Sequence, residues 1–521
     1  MLDYVCQHFN SSTYLSILEP SAGDGSFVRA FAKTRFPECI RKFSLTAIDK
    51  VPSELEKAQN VALTNKKQAT NYSFISDDFL KYQDNLKRKF HLIVGNPPYI
   101  KKQLLSKYQI DKCQQIFHEN GLSQNKIKNI WTAFLVSSCQ LLAENGVLAF
   151  VLPAELLQVK FSQELREYLR KNFSRTEIFT FDELLFDCKG QDTVILVAFK
   201  THTHAGQFYT HITNTEQLLT KNFTLTENEA LSLTGIKWTH HSLTSGELLF
   251  IHELGERLNN VGYYCDSKPG IVTAANNFFI VNSDTQTING LEAYCIPIIQ
   301  KGSFVNGSVV FKKRDYNELV IERKPTKLLS FDNSPMRNLP NSVRQYLISG
   351  RNEKLHLRHK CRKRKNWHVI PNISEIPQGF FFKRCHHYPK LLKNDAKVFV
   401  TDSAYKIKMK DKYNINGLVY SFYNSLTLAF AELKGRYYGG GVLELTPLEF
   451  KSLPIPYVDI NAKEFNDFAK SFENKNNIEE ILNLNDFNIL NSVLGLSQNE
   501  IQRVNSIYRK LITKRFRIKE N

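Results

Sequence analysis

The chain has 521 residues, 42% of them hydrophobic, and carries 69 Lys and Arg against 51 Asp and Glu, a formal net charge of +18. That length exceeds one ordinary core, so two large domains are expected, and the excess of base points to a polyanionic partner. Nine cysteines without a C-x-x-C pair indicate neither a zinc site nor a disulfide framework, and no apolar run reaches membrane length. A reducing, cytoplasmic setting without a membrane or a structural metal is the expectation.

Residues Leu15 to Glu19 (LSILE) read as a short apolar strand. Pro20-Ser21-Ala22-Gly23-Asp24-Gly25 follows, then a helical pattern from Ser26 to about Phe36, and strand, glycine turn and helix form the first unit of a doubly wound sheet. Gly23 and Gly25 let a ligand approach the backbone, although a lone G-x-G also fits any tight turn between strand and helix. There is no Gly-Lys-Ser/Thr, which excludes a nucleoside triphosphate loop. Phe43 to Ile48 is a second strand ending at Asp49, an acid placed to accept bonds from ribose hydroxyls. Tyr72 to Ile75 is a third, followed by the acidic turn Ser76-Asp77-Asp78-Phe79.

The fourth strand, Leu92-Ile93-Val94, stops at Gly95 and runs into Asn96-Pro97-Pro98-Tyr99. Two prolines fix φ and lack N–H groups, so this is a stiff loop at the ligand-binding edge of a parallel sheet. A plain turn with a rim tyrosine is the alternative. Leu104 to Asn129 is polar without clean periodicity and reads as a loop or partly helical lid. Trp131 to Leu142 and Glu155 to Asn172 read as helices, and VLAFVLP, Thr176 to Phe181 and Thr193 to Phe199 as strands. An α/β domain over 1–205 is expected, with a junction over 206–240. Beyond it, GIVTAANNFFIV, CIPIIQKGSFVNG, YLISGRNEK and WHVIP read as strands and turns of a mixed α+β domain over 241–460, followed by a basic helical tail over 461–521. Arg351, Lys354, Arg358, Lys360, Arg362, Lys363, Arg364 and Lys365 face a single acid, Glu353. Such a run is most often a solvated face.

Taken together, LEPSAGDGSF, SDDF and GNPPY resemble the amino-methyltransferases that use S-adenosylmethionine, in particular the TaqI-like, γ-class adenine-specific DNA methyltransferases of type II restriction-modification systems. The resemblance implies a Rossmann-like catalytic domain over 1–205 and a DNA target-recognition domain over 241–460. It assigns Glu19, Pro20, Gly23 and Gly25 to the amino-acid part of the donor, and Asp49 to its ribose, although by spacing the family's acid falls nearer Ala47. Asp78 and Phe79 are assigned to the donor's adenine, and Asn96, Pro97, Pro98 and Tyr99 to the target amine. Phe186, in LLFDCKGQD, is implied to cover a flipped base opposite Tyr99, a core phenylalanine being the alternative. RYYGGGVLELTPLEFKSLPIP (Arg436 to Pro456) is similar to the family's recognition domain, and with duplex DNA as partner the basic run becomes a phosphate contact.

The resemblance further implies a monomer in a bacterial cytoplasm, with a cognate restriction endonuclease as a separate chain. The family's Thr-Pro element ahead of the first strand is not matched, because Met1-Leu2-Asp3-Tyr4-Val5 aligns with the helix that follows it. A cytosine amino-methyltransferase, a protein glutamine or RNA methyltransferase and a non-catalytic DNA-binding subunit with a weakened cofactor site are the rivals. Asn96 favours adenine over cytosine, where Ser or Asp more often opens the tetrapeptide. No carboxylate and lysine set indicates a fused nuclease.

Overall fold

The computed structural model describes residues 1–64, 70–181, 193–213, 215–229, 237–240, 242–305, 307–373, 375–474 and 477–516. The chain forms two compact units, Met1–Ser245 and Gly246–Asn521.

The first unit is built on β1 (Tyr14–Glu19), β2 (Lys42–Asp49), β3 (Thr70–Ser76), β4 (Phe90–Gly95), β5 (Leu142–Pro153), β6 (Arg175–Phe181), β7 (Thr193–Phe199), β8 (Gly206–Ile212) and β9 (Thr226–Glu227). They lie side by side in the order β3-β2-β1-β4-β5-β7-β6-β8-β9. Strands β1 to β5 are mutually parallel, and β7 enters antiparallel between β5 and β6. Alternate side chains serve opposite faces, as the pleat requires. Leu18, Ile93, Leu148 and Phe150 join one buried cluster with Trp131 and Phe134, while Ile17, Leu92, Val94 and Ala149 join a second with Val28 and Phe31. Burial on both faces explains why these strands are near-continuously apolar.

Within 206–240, expected as a junction, β8 and β9 extend this sheet. β8 pairs parallel with β6 over Arg175↔Gly206 to Phe181↔Ile212, and β9 closes the edge. The polar Thr and His of GQFYTHI sit among buried, half-buried and exposed positions without a clean alternation, which blurs the strand pattern. Within 104–129 the chain forms a 13-residue helix, Lys107–Glu119, opened by a reciprocal cap between Ser106 and Gln109. Its buried apolar face is narrow, Cys113, Ile116 and Phe117, so the apolar period is short.

The second unit holds sheets of five, four and three strands among the described residues. Two stretches expected as strands and turns differ. YLISG lies inside the helix Asn341–Asn352, which buries Val343, Leu347 and Gly350 at helical spacing after Pro340, and WHVIP forms turns with Trp367 and Ile370 in the core. Nor is 461–516 an appended tail. Helices Ala462–Glu473 and Gln498–Phe516 bury Phe465, Phe468, Val504, Ile507 and Leu511, and the Arg515 side chain is fully buried against Glu432, Nε lying 2.9 Å from the carboxylate.

Candidate active site

Strand order reverses direction at β1 and β4, which are neighbours although β2 and β3 intervene in sequence. The crevice at such a point is where open α/β sheets bind ligands. Ile17↔Leu92 and Leu18↔Ile93 set the register, bringing Glu19 and Gly95, the last residues of the two strands, to the same edge. Two loops leave that edge together. A Cβ at Gly95 would lie 3.4 Å from Pro20 Cδ, and the Ser21 hydroxyl donates to the Asn96 backbone carbonyl at 3.0 Å.

Glu19 is 1% exposed, and neither carboxylate oxygen has a hydrogen-bond partner among the described residues. Burial, reinforced by the nearby carboxylates of Asp49 and Asp24, pushes its carboxyl well above the usual range. A buried carboxylate without a partner is costly and calls for a cationic ligand. The glycine turn beside it is held open to such a ligand. Gly23 and Gly25 have φ of +51° and +83°, and a Cβ on Gly25 would stand 2.7 Å from the Ala58 Cα in the next helix. Asp49, at the end of β2, accepts from the Gly23 N–H at 2.8 Å and from the Val51 N–H at 2.9 Å. Its observed role is therefore to clamp the turn, which leaves each oxygen a remaining lone pair for a ligand hydroxyl.

Asp78 caps the short helix Phe79–Tyr82: one oxygen accepts from the Leu80 N–H at 3.0 Å and the other from Gln109 Nε2 at 3.1 Å. Phe79 is 2% exposed with its ring 5.1 Å from that of Phe134, so it belongs to the core as well as to the rim. On the other side of the crevice, the Asn96 side-chain oxygen is buried and unpartnered among the described residues, and Pro97 is buried beside it. Tyr99 is half-buried, and its hydroxyl donates to the Val151 carbonyl of β5 at 3.0 Å, fixing the ring's direction. Phe186 lies outside the described residues. Glu19, Asp49, Asp78 and Asn96 thus stand at or just beyond the carboxyl ends of the neighbouring parallel strands β1 to β4, a row of oxygen acceptors along one edge.

The residues of the basic run divide. Arg364 is half-buried, donates to the carbonyls of Val272, Thr273 and Trp367 at 2.7–3.2 Å, and packs over Phe279. Arg358 donates to the Ala274 carbonyl at 3.0 Å. Both brace the loop at 272–274; Arg364 is thereby taken up inside the unit, while Arg358 stays exposed beside its one carbonyl bond. Arg351, Lys354, Lys360, Arg362, Lys363 and Lys365 are exposed, and Lys360 lines a groove of about 930 Å³ with Asn276, Asn277 and Tyr346.

Ser21 and Gln109 carry bonds of the site that sequence reasoning missed. Ser106-Lys107-Tyr108-Gln109 is a helix-start signature, and it would have placed Gln109 one turn into a helix.

The strand order with its antiparallel β7, and the crevice that holds Glu19 and Asn96 at the ends of β1 and β4, define a Rossmann-like methyltransferase fold joined to a mixed α+β C-terminal unit. The type IIL restriction-modification enzyme MmeI, solved in complex with DNA, shares that fold with a TM-score of 0.61 at 12% identity, over 96% of this chain and 73% of MmeI. Residues 14–186 match the family described as Eco57I restriction-modification methylase, and residues 235–490 match the type II methyltransferase M.Eco57I C-terminal domain. The chain belongs to this family of γ-class restriction-modification methyltransferases. It is similar to the type II methyltransferase M.AccI of Acinetobacter calcoaceticus, at 26% identity over 70% of this chain and 65% of that relative. It is also similar to M.TthHB8I of Thermus thermophilus, at 32% identity over 32% of this chain and 36% of that one. The chain thus spans less than two thirds of the length of these relatives.

Proposed function

We propose that this chain is a DNA methyltransferase of a restriction-modification system, transferring a methyl group from S-adenosylmethionine to the exocyclic amine of an adenine in duplex DNA. The observation that carries this reading is the buried side-chain oxygen of Asn96, without a partner among the described residues, next to Pro97 at the crevice that also holds Glu19. The family supports the class of reaction, and Asn at the head of the tetrapeptide supports adenine.

The amine of adenine is a poor nucleophile because its lone pair is delocalised into the ring. The Asn96 side-chain oxygen and the Pro97 carbonyl accept its two N–H bonds and draw the nitrogen toward a tetrahedral state, with the lone pair aimed at the methyl. No strong base is required, and the proline frame holds its carbonyl without reorganisation. S-adenosylmethionine supplies the electrophilic methyl. Glu19 and the Gly23–Gly25 turn hold its amino-acid end, where a carboxylate meets an ammonium. Asp49 faces the ribose, and Asp78 and Phe79 the adenine. Positioning the reacting atoms in line then supplies much of the acceleration.

In a duplex the target amine is paired, so the nucleotide is rotated out and stacks on Tyr99, with Phe186 on its other face. Each such stack is worth about 1–3 kcal/mol. The exposed cations among Arg351 to Lys365 contact phosphates, and the cognate endonuclease is a separate chain. The enzyme acts as a monomer in a bacterial cytoplasm, with its catalytic domain in the unit Met1–Ser245 and the recognition domain in the unit Gly246–Asn521. The test is transfer of labelled methyl to mixed-sequence duplex DNA followed by nucleoside analysis. Label on the adenine amine, lost in Asn96→Ala with donor binding kept, is the expected result, and label on cytosine or normal turnover by the variant would refute the reading.

A further inference from the structure

The Asp78 carboxylate is held from two sides. Its cap bond to the Leu80 N–H fixes one oxygen, and Gln109, from the helix Lys107–Glu119, fixes the other at 3.1 Å. Gln109 is itself committed, since its Oε1 accepts from the Ser106 N–H at 3.2 Å while its own N–H bonds the Ser106 hydroxyl. The amide therefore has one orientation, Nε2 toward Asp78, and cannot turn its oxygen to the carboxylate without breaking the helix cap. An ionised carboxylate has about four acceptor sites. With one taken by Leu80 and one by Gln109, the remaining lone pairs point in fixed directions.

The segment carrying Gln109 is tied at both ends to the exit of the Asn-Pro-Pro-Tyr loop. The Lys102 N–H bonds the Lys128 carbonyl at 2.9 Å, and the Ile130 N–H bonds the Ile100 carbonyl at 3.0 Å. Lys112, one turn further along the helix and 8% exposed, is paired with Asp84 at 2.6 Å, a second bond from this helix to the segment that follows Asp78. The helix is therefore braced between the residues assigned to the donor's adenine and those assigned to the target.

We propose that Gln109 is a positioning residue for the donor: it holds the second oxygen of Asp78 so that the carboxylate presents its free lone pair to the 6-amino group of the donor's adenine. This inference rests on the reading of Asp78 given above. Without Gln109 the carboxylate keeps only its cap bond and can rotate about it, so the amine of the nucleoside loses its aligned acceptor while the amino-acid end of the donor is held as before.

The experiment is a binding cycle by calorimetry on the full chain, with S-adenosylhomocysteine and its deaminated counterpart S-inosylhomocysteine as the two probes. Wild type should bind the adenosyl compound roughly tenfold more tightly than the inosyl one, the scale of one hydrogen bond to a charged group. Gln109→Ala should bind both with nearly the weaker affinity, because the discrimination depends on the held carboxylate. Ser106→Ala, which weakens the same helix cap without removing the Gln109 amide, should keep the discrimination. Gln109→Ala that still discriminates as wild type does, or that loses affinity for both compounds equally, overturns the inference. Wild type that binds neither compound, or does not distinguish them while Asp78→Ala binds normally, overturns the donor reading of Asp78 itself and this inference with it.

Discussion

The hydroxyl of Ser21, in the glycine turn after β1, donates to the backbone carbonyl of Asn96 at the end of β4, 3.0 Å away. This one bond joins the loop assigned to the donor to the loop assigned to the target amine. Its geometric effect is to fix the start of Asn96-Pro97 relative to the residue next to Pro20. Ser21→Ala removes about 1 kcal/mol of hydrogen bonding, and a small displacement of the acceptors from the line of transfer adds to the effect on rate. The expected outcome is a kcat about tenfold lower with donor affinity within about twofold of wild type, measured by single-turnover methyl transfer and by calorimetry. A fall confined to donor affinity would mean that the bond serves only the turn.

Glu19 makes a prediction with a definite sign. Its carboxyl is held well above the usual range by burial first, then by Asp49 and Asp24. In the unfolded chain it ionises at its ordinary value, so above that value the folded, ligand-free state binds more protons than the unfolded one. Its contribution to stability is therefore present at low pH and declines as pH rises past the ordinary carboxylate range, about pH 4. Glu19→Gln removes this cost. The ligand-free variant should melt higher than wild type at about pH 8, the gap closing toward about pH 4, while its affinity for the donor drops about a hundredfold without the charge pairing. Thermal melts across pH, with and without S-adenosylhomocysteine, check both halves, and a variant that melts lower than wild type at the alkaline end would contradict the sign.

Gly25 tests the turn itself. Alanine there must adopt a φ of +83° and place its Cβ 2.7 Å from the Ala58 Cα, a backbone atom that cannot swing away. The left-handed conformation alone costs about 1–2 kcal/mol, and the collision forces the turn away from the helix Pro52–Thr64. Gly25→Ala should lose donor binding and several degrees of melting temperature. Gly23→Ala, with nothing within 4 Å of its Cβ, should lose only the conformational part. Equal effects from both would show that the crowding is relieved elsewhere.

Much of the first unit was legible because its strands are buried on both faces and its loops carry residues with one job. LSILE, HLIVG and TVILVAF lie in the sheet at the positions their apolar runs suggest, and Glu19 and Asn96 come to one edge because β1 and β4 are neighbours. What stayed hidden is tertiary. Gln109 reads as one more polar residue in a Lys/Gln-rich stretch until the Ser106 cap sets its helix, and nothing in the sequence shows that Asp49 also holds the Gly23 N–H. In the second unit the short strands, such as Ile280–Val281 and Phe399–Val400, are two residues long and have no period to detect. Arg364 shares its sequence surroundings with exposed lysines and Arg515 with the exposed Arg509, and only the carbonyls around the two reveal that they are internal braces.

The basic run should separate into two phenotypes. Lys360, Lys363 and Lys365 are exposed, so changing all three to alanine should leave the melting temperature unchanged. Binding to duplex DNA should weaken across sequences, and the slope of log K against log salt should become shallower by roughly one for each phosphate no longer neutralised. Arg364→Ala acts differently. It deprives three backbone carbonyls of their donor and the Phe279 ring of its cover, so it should destabilise the second unit by about 2–3 kcal/mol. DNA titrations at several salt concentrations, beside urea melts, distinguish the two, and a stable Arg364→Ala chain with a reduced salt slope would return that arginine to the phosphate-binding set.

Arg515 gives the strongest stability prediction. Its Nε reaches both Glu432 oxygens at 3.1 and 2.9 Å, Nη1 donates to the carbonyls of His386 and Gly441, and Nη2 donates to that of His387 at 2.8 Å. The guanidinium thus ties the last helix to the turn Gly439–Gly441 and to the strand pair Arg384–Cys385 with Val442–Glu444, whose register it helps to fix. Arg515→Ala leaves Glu432 buried and uncompensated, with three carbonyls unpaired, and should cost about 3–5 kcal/mol. Arg515→Lys keeps the charge but has no planar fork, so it cannot reach both the carboxylate and the carbonyls and should recover less than half of that. Replacing both partners, Arg515→Met with Glu432→Gln, removes the buried charges together. It should be less damaging than Arg515→Ala alone, a non-additivity of at least about 1 kcal/mol in urea melts, whereas strictly additive losses would mean that the two side chains act independently.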